Sequence, residues 1–362
     1  MYPALAVVQT WLARKGLEPG EAVLWIGSRR GMEAELVQRA GVPFQAIHSA
    51  GVHGVGWRMP GNALQLIWGC LQAWGLMRSF KAEVLLVTGG YLAVPAALAA
   101  WCRRIPILLY VPDIEPALAA RLVSRLASRI AVTAEAARGY FPPPLAGRVT
   151  VSGYPLRPEL TQCSRAQGQA HFDLDPRRPT LLVTGGSRGA RSLNRAAFAA
   201  LPEWLTYCQV IHICGEWDRE EAERQQSTLP AHLRRHYHLF PFIHEMGLAL
   251  AVADLVVSRA GASVLGEYPL FGLPAILVPY PYAWHYQEVN AHYLVAQGAA
   301  VCLPDDESLP SRVRQEVREL LSDAGRRERM RTAACALARP DAADHLIRHL
   351  EVLAAVGRRQ RR

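Results

Sequence analysis

No run of eighteen or more uncharged apolar residues occurs in the 362-residue sequence, which argues against a membrane-spanning helix. The start has no basic leader with an apolar stretch and a small-residue cleavage site, so nothing marks the chain for export and the cytoplasmic side is the expected compartment. Cysteine is sparse. The seven, Cys70, Cys102, Cys163, Cys208, Cys214, Cys302 and Cys335, show neither CxxC nor CxxxH spacing, which argues against a zinc site or disulfide framework and leaves core filler as their expected role. Negative charge is short as well: 40 Lys and Arg face 31 Asp and Glu, a net charge of +9. Such an excess suits anionic partners, nucleotide phosphates or acidic lipid headgroups. Nucleic acid is not expected, because no recognition element accompanies the charge. For any single basic cluster, Arg29-Arg30, Arg103-Arg104 or the tail from Arg358, a solvated surface is the plain alternative.

What the sequence does have is alternation. Short β-branched and leucine-rich runs are separated by longer helix-compatible stretches, the pattern of parallel sheets covered by helices on both faces. The length exceeds one ordinary core, so two doubly wound α/β domains are expected. Candidate strands in the first half are Ala22–Gly27, Pro43–His48, Glu83–Thr88, Ile105–Val111, Ser128–Thr133 and Arg148–Ser152. In the second half they are Thr180–Thr184, Gln209–Cys214, His238–Phe242, Asp254–Ser258, Ala275–Pro279 and Ala300–Leu303. The Pro-containing, polar stretch Gly153–Pro179 lies between the two series and reads as the linker. An internal echo supports two similar halves, since Leu85-Leu86-Val87-Thr88-Gly89-Gly90 recurs as Leu181-Leu182-Val183-Thr184-Gly185-Gly186. Each copy is a strand ending in a glycine pair, the place where tight turns bare backbone N–H groups to phosphate.

The richest stretch is Ala253 to Glu267, read as a buried strand, a turn of small residues and a helix starting near Ala262. Small side chains there let a pyrophosphate approach the N–H groups of Ala262 and Ser263. Glu267, about one helical turn beyond, can accept both hydroxyls of a ribose, or merely complement the helix dipole. Downstream, Gln287 and Asn290 stand three apart on one helix face and offer donors and acceptors together, which suits neutral sugar hydroxyls. The turn Gly185 to Ser192 is a second flexible, donor-rich candidate.

Taken together, Pro3-Ala4-Leu5-Ala6, Thr88-Gly89-Gly90-Tyr91, Gly185-Gly186-Ser187-Arg188-Gly189-Ala190-Arg191-Ser192-Leu193-Asn194, Ser258-Arg259-Ala260-Gly261-Ala262-Ser263, and Gln287 with Asn290 resemble the peptidoglycan N-acetylglucosaminyltransferases of the MurG family, in glycosyltransferase family 28. The resemblance implies a GT-B fold, two Rossmann-like domains facing a cleft, with residues 1–153 the acceptor- and membrane-facing domain, joined by a C-terminal helix of about 341–362, and residues 154–340 the donor domain. It implies inverting transfer of N-acetylglucosamine from UDP-N-acetylglucosamine to an undecaprenyl-pyrophosphoryl acceptor, lipid I giving lipid II. By matching positions, Ile243 would meet the uracil through its backbone and Glu267 the ribose. Ala262, Ser263 and Ser187 would surround the pyrophosphate, Arg157 would lie beside the nucleotide, and Gln287 with Asn290 would orient the sugar. Gly89, Gly90 and Tyr91 would face the acceptor. No metal or organic cofactor is expected, because a helix N-terminus can meet the charge on the leaving phosphate.

The chain departs from that family in three places. The family opens with a strand and a glycine-rich loop ending in a histidine, and this sequence begins past them, so a first element missing ahead of Met1 is expected, through a start codon assigned too late or a truncation. Where relatives carry His-Glu-Gln-Asn the chain reads Tyr110-Val111-Pro112-Asp113, which makes Asp113 the candidate base or donor contact, against a solvated Asp in a proline turn. Ala93-Val94 replaces a small-glycine pair after Tyr91. Finally, Trp57-Arg58-Met59, the run from Leu64 to Met77, and Trp101, flanked by Arg78, Lys81 and Arg103-Arg104, suit an anionic membrane interface, with one helix face packed inside and a Trp57 to Trp68 edge touching lipid. The rival readings are a transferase of the same fold with another lipid acceptor and an inactive nucleotide-sugar-binding protein.

Overall fold

The computed structural model describes residues 1–28, 33–48, 59–186, 189–282 and 285–361. They divide into two compact units, Met1–Pro158 with Pro340–Arg362, and Glu159–Arg339. Trp57, Arg58, Ser187 and Arg188, and the Arg29-Arg30 cluster, lie outside the described residues.

The first unit carries six parallel strands: β1 (Trp25–Ser28), β2 (Phe44–Ile47), β3 (Leu85–Val87), β4 (Ile107–Val111), β5 (Arg129–Val132) and β6 (Val149–Val151). All six sit inside the stretches expected from sequence, apart from Ser28, and they form not one sheet but two, β1-β2 and β3-β4-β5-β6. β4 shows why the alternation reads as it does, since all five of its residues are buried. Side chains on both faces of such a strand are covered, so it must be apolar throughout rather than every second residue. One cover is built around Ala97, Ile107, Leu109 and Val132, with Ile26 of β1 packed against it. The other joins Val7 of the opening helix (Tyr2–Lys15) to Leu108, Tyr110, Leu346 and Ile347, which brings the C-terminal helix (Ala342–Arg361) onto this sheet.

The second unit holds one six-stranded parallel sheet in the order β12-β11-β10-β7-β8-β9. Its strands are β7 (Thr180–Thr184), β8 (Gln209–Ile213), β9 (Tyr237–Phe240), β10 (Leu255–Ser258), β11 (Ala275–Leu277) and β12 (Ala300–Cys302). The order reverses beside β7: the chain runs outward through β8 and β9, then returns to β7's other side with β10. In open parallel sheets, ligands gather at the carboxyl ends of the strands flanking such a switch. Trp204, fully buried on the helix Arg191–Tyr207, anchors the core on one face.

Two expectations need correction. The stretch Gly153–Pro179 is not a bare linker. Its helix Arg165–His171 opens with a capping box at Ser164 and Gln167, and Gly168 lies so close to the Leu248 carbonyl that a β-carbon there would stand 2.5 Å from it. Arg165 pairs with Asp254 at 3.0 Å, fastening this segment to the second unit. Nor are the cysteines uniformly core filler: Cys208 and Cys214 are buried, whereas Cys102 and Cys335 are exposed.

Candidate functional site

Because the six strands of the second unit are parallel, every turn that follows one of them emerges on the same edge of the sheet. β7 and β10 are hydrogen-bonded neighbours at the switch, with Leu255 opposite Leu181 and Ser258 opposite Thr184. After β7 the chain turns through Gly185 and Gly186 into the helix at Arg191. Gly185 packs against the Ala190 amide so closely that no side chain fits, and Gly186 and Gly189 have φ of +82° and +73°, the left-handed region that favours glycine. Ser187 falls in the undescribed part of this turn. The helix itself starts without a side-chain cap and without an acidic residue in its first turn.

After β10 comes the turn Arg259–Ser263 and the helix Val264–Phe271, two residues later than expected. The carbonyls of Gly261, Ala262 and Ser263 accept from Val264, Leu265, and both Gly266 and Glu267, at 2.8 to 3.2 Å. The N–H groups of Ala262 and Ser263 themselves donate to no backbone or side-chain acceptor among the described residues. Both residues are half-exposed, so the turn is not packed into the core. The start of a helix leaves its first N–H groups bare and adds the positive end of the helix dipole, which is an anion-binding arrangement. Glu267 follows on the first turn, also half-exposed.

The next turn is tied back to this one. Gln287, at the start of the helix Tyr286–Ala296, accepts the Tyr280 N–H at 2.9 Å, and Asn290 is fully buried with its amide donating to the Ala260 carbonyl at 3.1 Å. The two residues therefore share a helix face, but Asn290 braces the turn from below. Ile243, buried, lies three residues past β9 at the far edge of the same sheet. An Asp-x-Asp triplet is present in the chain, Asp173-Leu174-Asp175, but it precedes β7 and so lies at the amino ends of the strands, where Asp175 pairs with Arg177 at 3.2 Å. That Arg177 contact and its hydrogen bonds hold the Asp175 carboxyl below the usual range. Among the described residues no three His, Cys, Asp or Glu stand where they could hold one metal ion.

In the first unit, Gly89 and Gly90 follow β3 with φ of +94° and +83°, Tyr91 is exposed beside them, and Asp113 lies two residues past β4. β3 and β4 are neighbours, so these residues share one carboxyl edge. Asp113 is half-exposed, above a buried Tyr110 whose hydroxyl bonds Thr133 at 2.8 Å. Burial chiefly, and the Asp113 charge in lesser part, hold that hydroxyl protonated. Arg157 belongs to this unit, with its guanidinium 5.4 Å from the Tyr2 ring centre.

The model of the glycosyltransferase family 28 C-terminal domain matches residues 180–346, and that of the N-terminal domain matches residues 1–132. The chain belongs to glycosyltransferase family 28. A UDP-N-acetylglucosamine--N-acetylmuramyl-(pentapeptide) pyrophosphoryl-undecaprenol N-acetylglucosamine transferase from Roseiflexus sp. is 41% identical over 369 residues, covering 92% of this chain and 84% of that one. Its namesake from Desulforudis audaxviator is 36% identical, covering 99% and 96%. Among solved structures, MurG of Acinetobacter baumannii superposes with a TM-score of 0.73 at 26% identity, covering 97% and 95%. A UDP-GlcNAc 2-epimerase from Neisseria meningitidis, solved with UDP-GlcNAc bound, shares the fold with a TM-score of 0.67 at 13% identity and 97% coverage of both chains. As a family 28 glycosyltransferase the chain is an enzyme of sugar transfer, and its two-unit α/β architecture is the one expected from the sequence.

In this glycosyltransferase the structure joins two further residues that the sequence alone did not mark as a pair. Arg259, named only as part of a motif, and Asp305, not singled out at all, form a nearly buried ion pair at 2.8 Å behind the Gly261 turn. The only sequence signal was the oddity of an arginine directly after the short strand Leu255–Ser258.

Proposed function

We propose that this glycosyltransferase moves N-acetylglucosamine from UDP-N-acetylglucosamine to the N-acetylmuramyl-pentapeptide of a pyrophosphoryl-undecaprenol lipid, the reaction carried in the names of its relatives. The observation that carries the donor half is the bare N–H pair of Ala262 and Ser263 at the start of an uncapped helix, with Glu267 one turn on. The diphosphate sits on those N–H groups and on the Gly185–Ala190 turn, including Ser187; Glu267 accepts from the ribose, and the Ile243 backbone meets the uracil. Gln287 faces the sugar, with Asn290 fixing the turn beneath it, and Arg157 is the candidate cation for the nucleotide. An acceptor hydroxyl oxygen attacks the anomeric carbon as the bond from that carbon to the UDP oxygen breaks. The proton of the hydroxyl passes to Asp113, and the charge growing on the leaving diphosphate is met by the helix N-terminus. Gly89, Gly90 and Tyr91 stand on the acceptor side.

The acceptor lipid places the enzyme at the cytoplasmic face of the membrane as a peripheral protein. No helix among the described residues is long and apolar enough to cross a bilayer. The helix Met59–Ser79 instead shows solvent an apolar stripe, Leu64, Ile67, Trp68 and Leu71, while Ala73 and Met77 on its other side are buried. Trp101 is exposed nearby in sequence to Arg103, whose guanidinium lies 5.1 Å from the Trp74 ring centre. Apolar residues rimmed by cations suit an anionic lipid surface.

The test pairs binding with turnover. Titration calorimetry should show UDP binding that weakens at least about tenfold in Glu267→Ala, the loss expected for one charge-assisted hydrogen-bonding group, with the folded state intact by circular dichroism. Labelled sugar should pass to the muramyl-pentapeptide lipid and not to diacylglycerol. Unchanged affinity in the folded variant rejects the ribose assignment, and transfer to diacylglycerol instead rejects the acceptor.

A further inference from the structure

We infer that Asp305 is a positioning residue for the donor diphosphate, acting through Arg259 and Ser192; this rests on the reading of the Gly261 turn as the diphosphate cradle. Asp305 follows β12, the edge strand of the second unit, and Arg259 follows β10, two strands in. Their side chains are 9% and 10% exposed and 2.8 Å apart, whereas in every other ion pair among the described residues at least one partner is a third or more exposed.

Both terminal nitrogens of the guanidinium are engaged. Nη1 donates to the Val278 carbonyl at 3.0 Å as well as meeting Asp305, and Nη2 donates to Ser192 Oγ at 2.9 Å. The Ser192 hydroxyl in turn donates to Asp305 Oδ2 at 2.8 Å, closing a triangle, and the plane of charge lies 5.4 Å from the Tyr280 ring centre. Arg259 follows β10, and its partners are Ser192, in the first turn of the helix that follows the β7 turn, Val278 and Tyr280 after β11, and Asp305 after β12. One ion pair thus holds together the turn that contains Gly185 and Gly186, the turn that bares the Ala262 and Ser263 N–H groups, and the loop leading to Gln287. With its charge balanced by Asp305, Arg259 is not a ligand for the diphosphate; it sets where the two cradles sit relative to each other. Lysine cannot take its place, because one ammonium cannot reach a carboxylate, a hydroxyl and a carbonyl in the fixed fork of a guanidinium.

The experiment compares UDP with UMP. Only UDP spans the full diphosphate cradle, so a fault in cradle geometry lowers UDP affinity more than UMP affinity, whereas general loosening of the fold lowers both alike. Asp305→Asn and Arg259→Lys should each reduce the UDP-to-UMP affinity ratio at least about tenfold, and raise the KM for the sugar donor with a far smaller change in kcat. Because the pair acts as one unit, the double variant should lose no more than the worse single variant. Ser192→Ala, which leaves the ion pair in place, should show the same change of ratio at smaller size and serves if the charge variants do not fold. A UDP-to-UMP ratio like that of the parent in folded Asp305→Asn and Ser192→Ala overturns the inference. Absence of UDP binding in the parent protein overturns instead the reading on which it rests.

Discussion

Asp113 lies two residues past the carboxyl end of a fully buried strand, and burial holds the nearby Tyr110 hydroxyl protonated, so that tyrosine is not the base. If the Asp113 carboxylate is the base, Asp113→Asn should leave UDP affinity unchanged while lowering kcat by about a hundredfold or more, the usual contribution of general base catalysis. Steady-state kinetics alongside calorimetry separates the two quantities, and an unaltered kcat removes Asp113 from the reaction. Much of the candidate donor site was legible at this scale. A run of small residues between an apolar strand and a helix has few uses other than letting a ligand approach the backbone, so Ala262 and Ser263 were identifiable. Asn290 was not legible in the same way. Its spacing from Gln287 gave a shared face, but only the packing shows its amide turned inward to the Ala260 carbonyl. Asp305 gave no signal because its partners, Ser192 and Arg259, are far from it in the chain.

At the scale of elements, one helix is the candidate lipid contact. The helix Met59–Ser79 buries Gly69, Ala73 and Met77 and leaves Leu64 at 69%, Ile67 at 56%, Trp68 at 55% and Leu71 at 58% exposed. Spacings of three and four place these on one side of a helix. Gly69 explains how close the other side lies, since a β-carbon there would collide with the His48 carbonyl. Replacing Trp68 and Leu71 by serine removes mostly exposed surface, so thermal unfolding should shift far less than lipid binding. Cosedimentation with vesicles containing phosphatidylglycerol should fall about tenfold or more, as the loss of two interfacial apolar side chains implies. Equal sedimentation of parent and variant would exclude this stripe as the lipid contact. The sequence indicated a helix with one packed side and one lipid-facing edge. Which residues fall on each side was decided by the residues the helix packs against.

For the whole molecule, stability should depend on pH through a buried polar chain in the second unit. His212 of β8 is fully buried, with Nδ1 2.8 Å from the Tyr237 hydroxyl and Nε2 3.0 Å from Asn194 Oδ1; Asn194 also donates to Asp218 at 2.8 Å. Burial pushes the imidazole from 6.5 down to about 3, against a smaller upward pull from Asp218. Between those values the unfolded chain binds a proton that the folded chain does not, so this term is fully present above about pH 6.5 and is lost as the pH falls towards 3. At about pH 5 the loss from this one group is about 2 kcal/mol. Urea unfolding at about pH 7.5 and pH 5 should show that difference in the parent and a smaller one in His212→Asn. A variant as acid-sensitive as the parent assigns the effect elsewhere.

The alternation of apolar strands and longer helices marked the twelve strands found among the described residues, because a strand covered on both faces is apolar at most of its positions, and that is a local property of the chain. The small residues of the β10 turn likewise marked an approach to backbone before any fold was known. Tertiary structure alone decided that the first unit divides its strands into two sheets, that the segment after Gly153 folds onto the second unit, and that Arg259, Ser192 and Asp305 meet. Those outcomes depend on pairings between residues distant in sequence, and the energy of a buried ion pair or an unpaired strand edge exists only once the partners are in place.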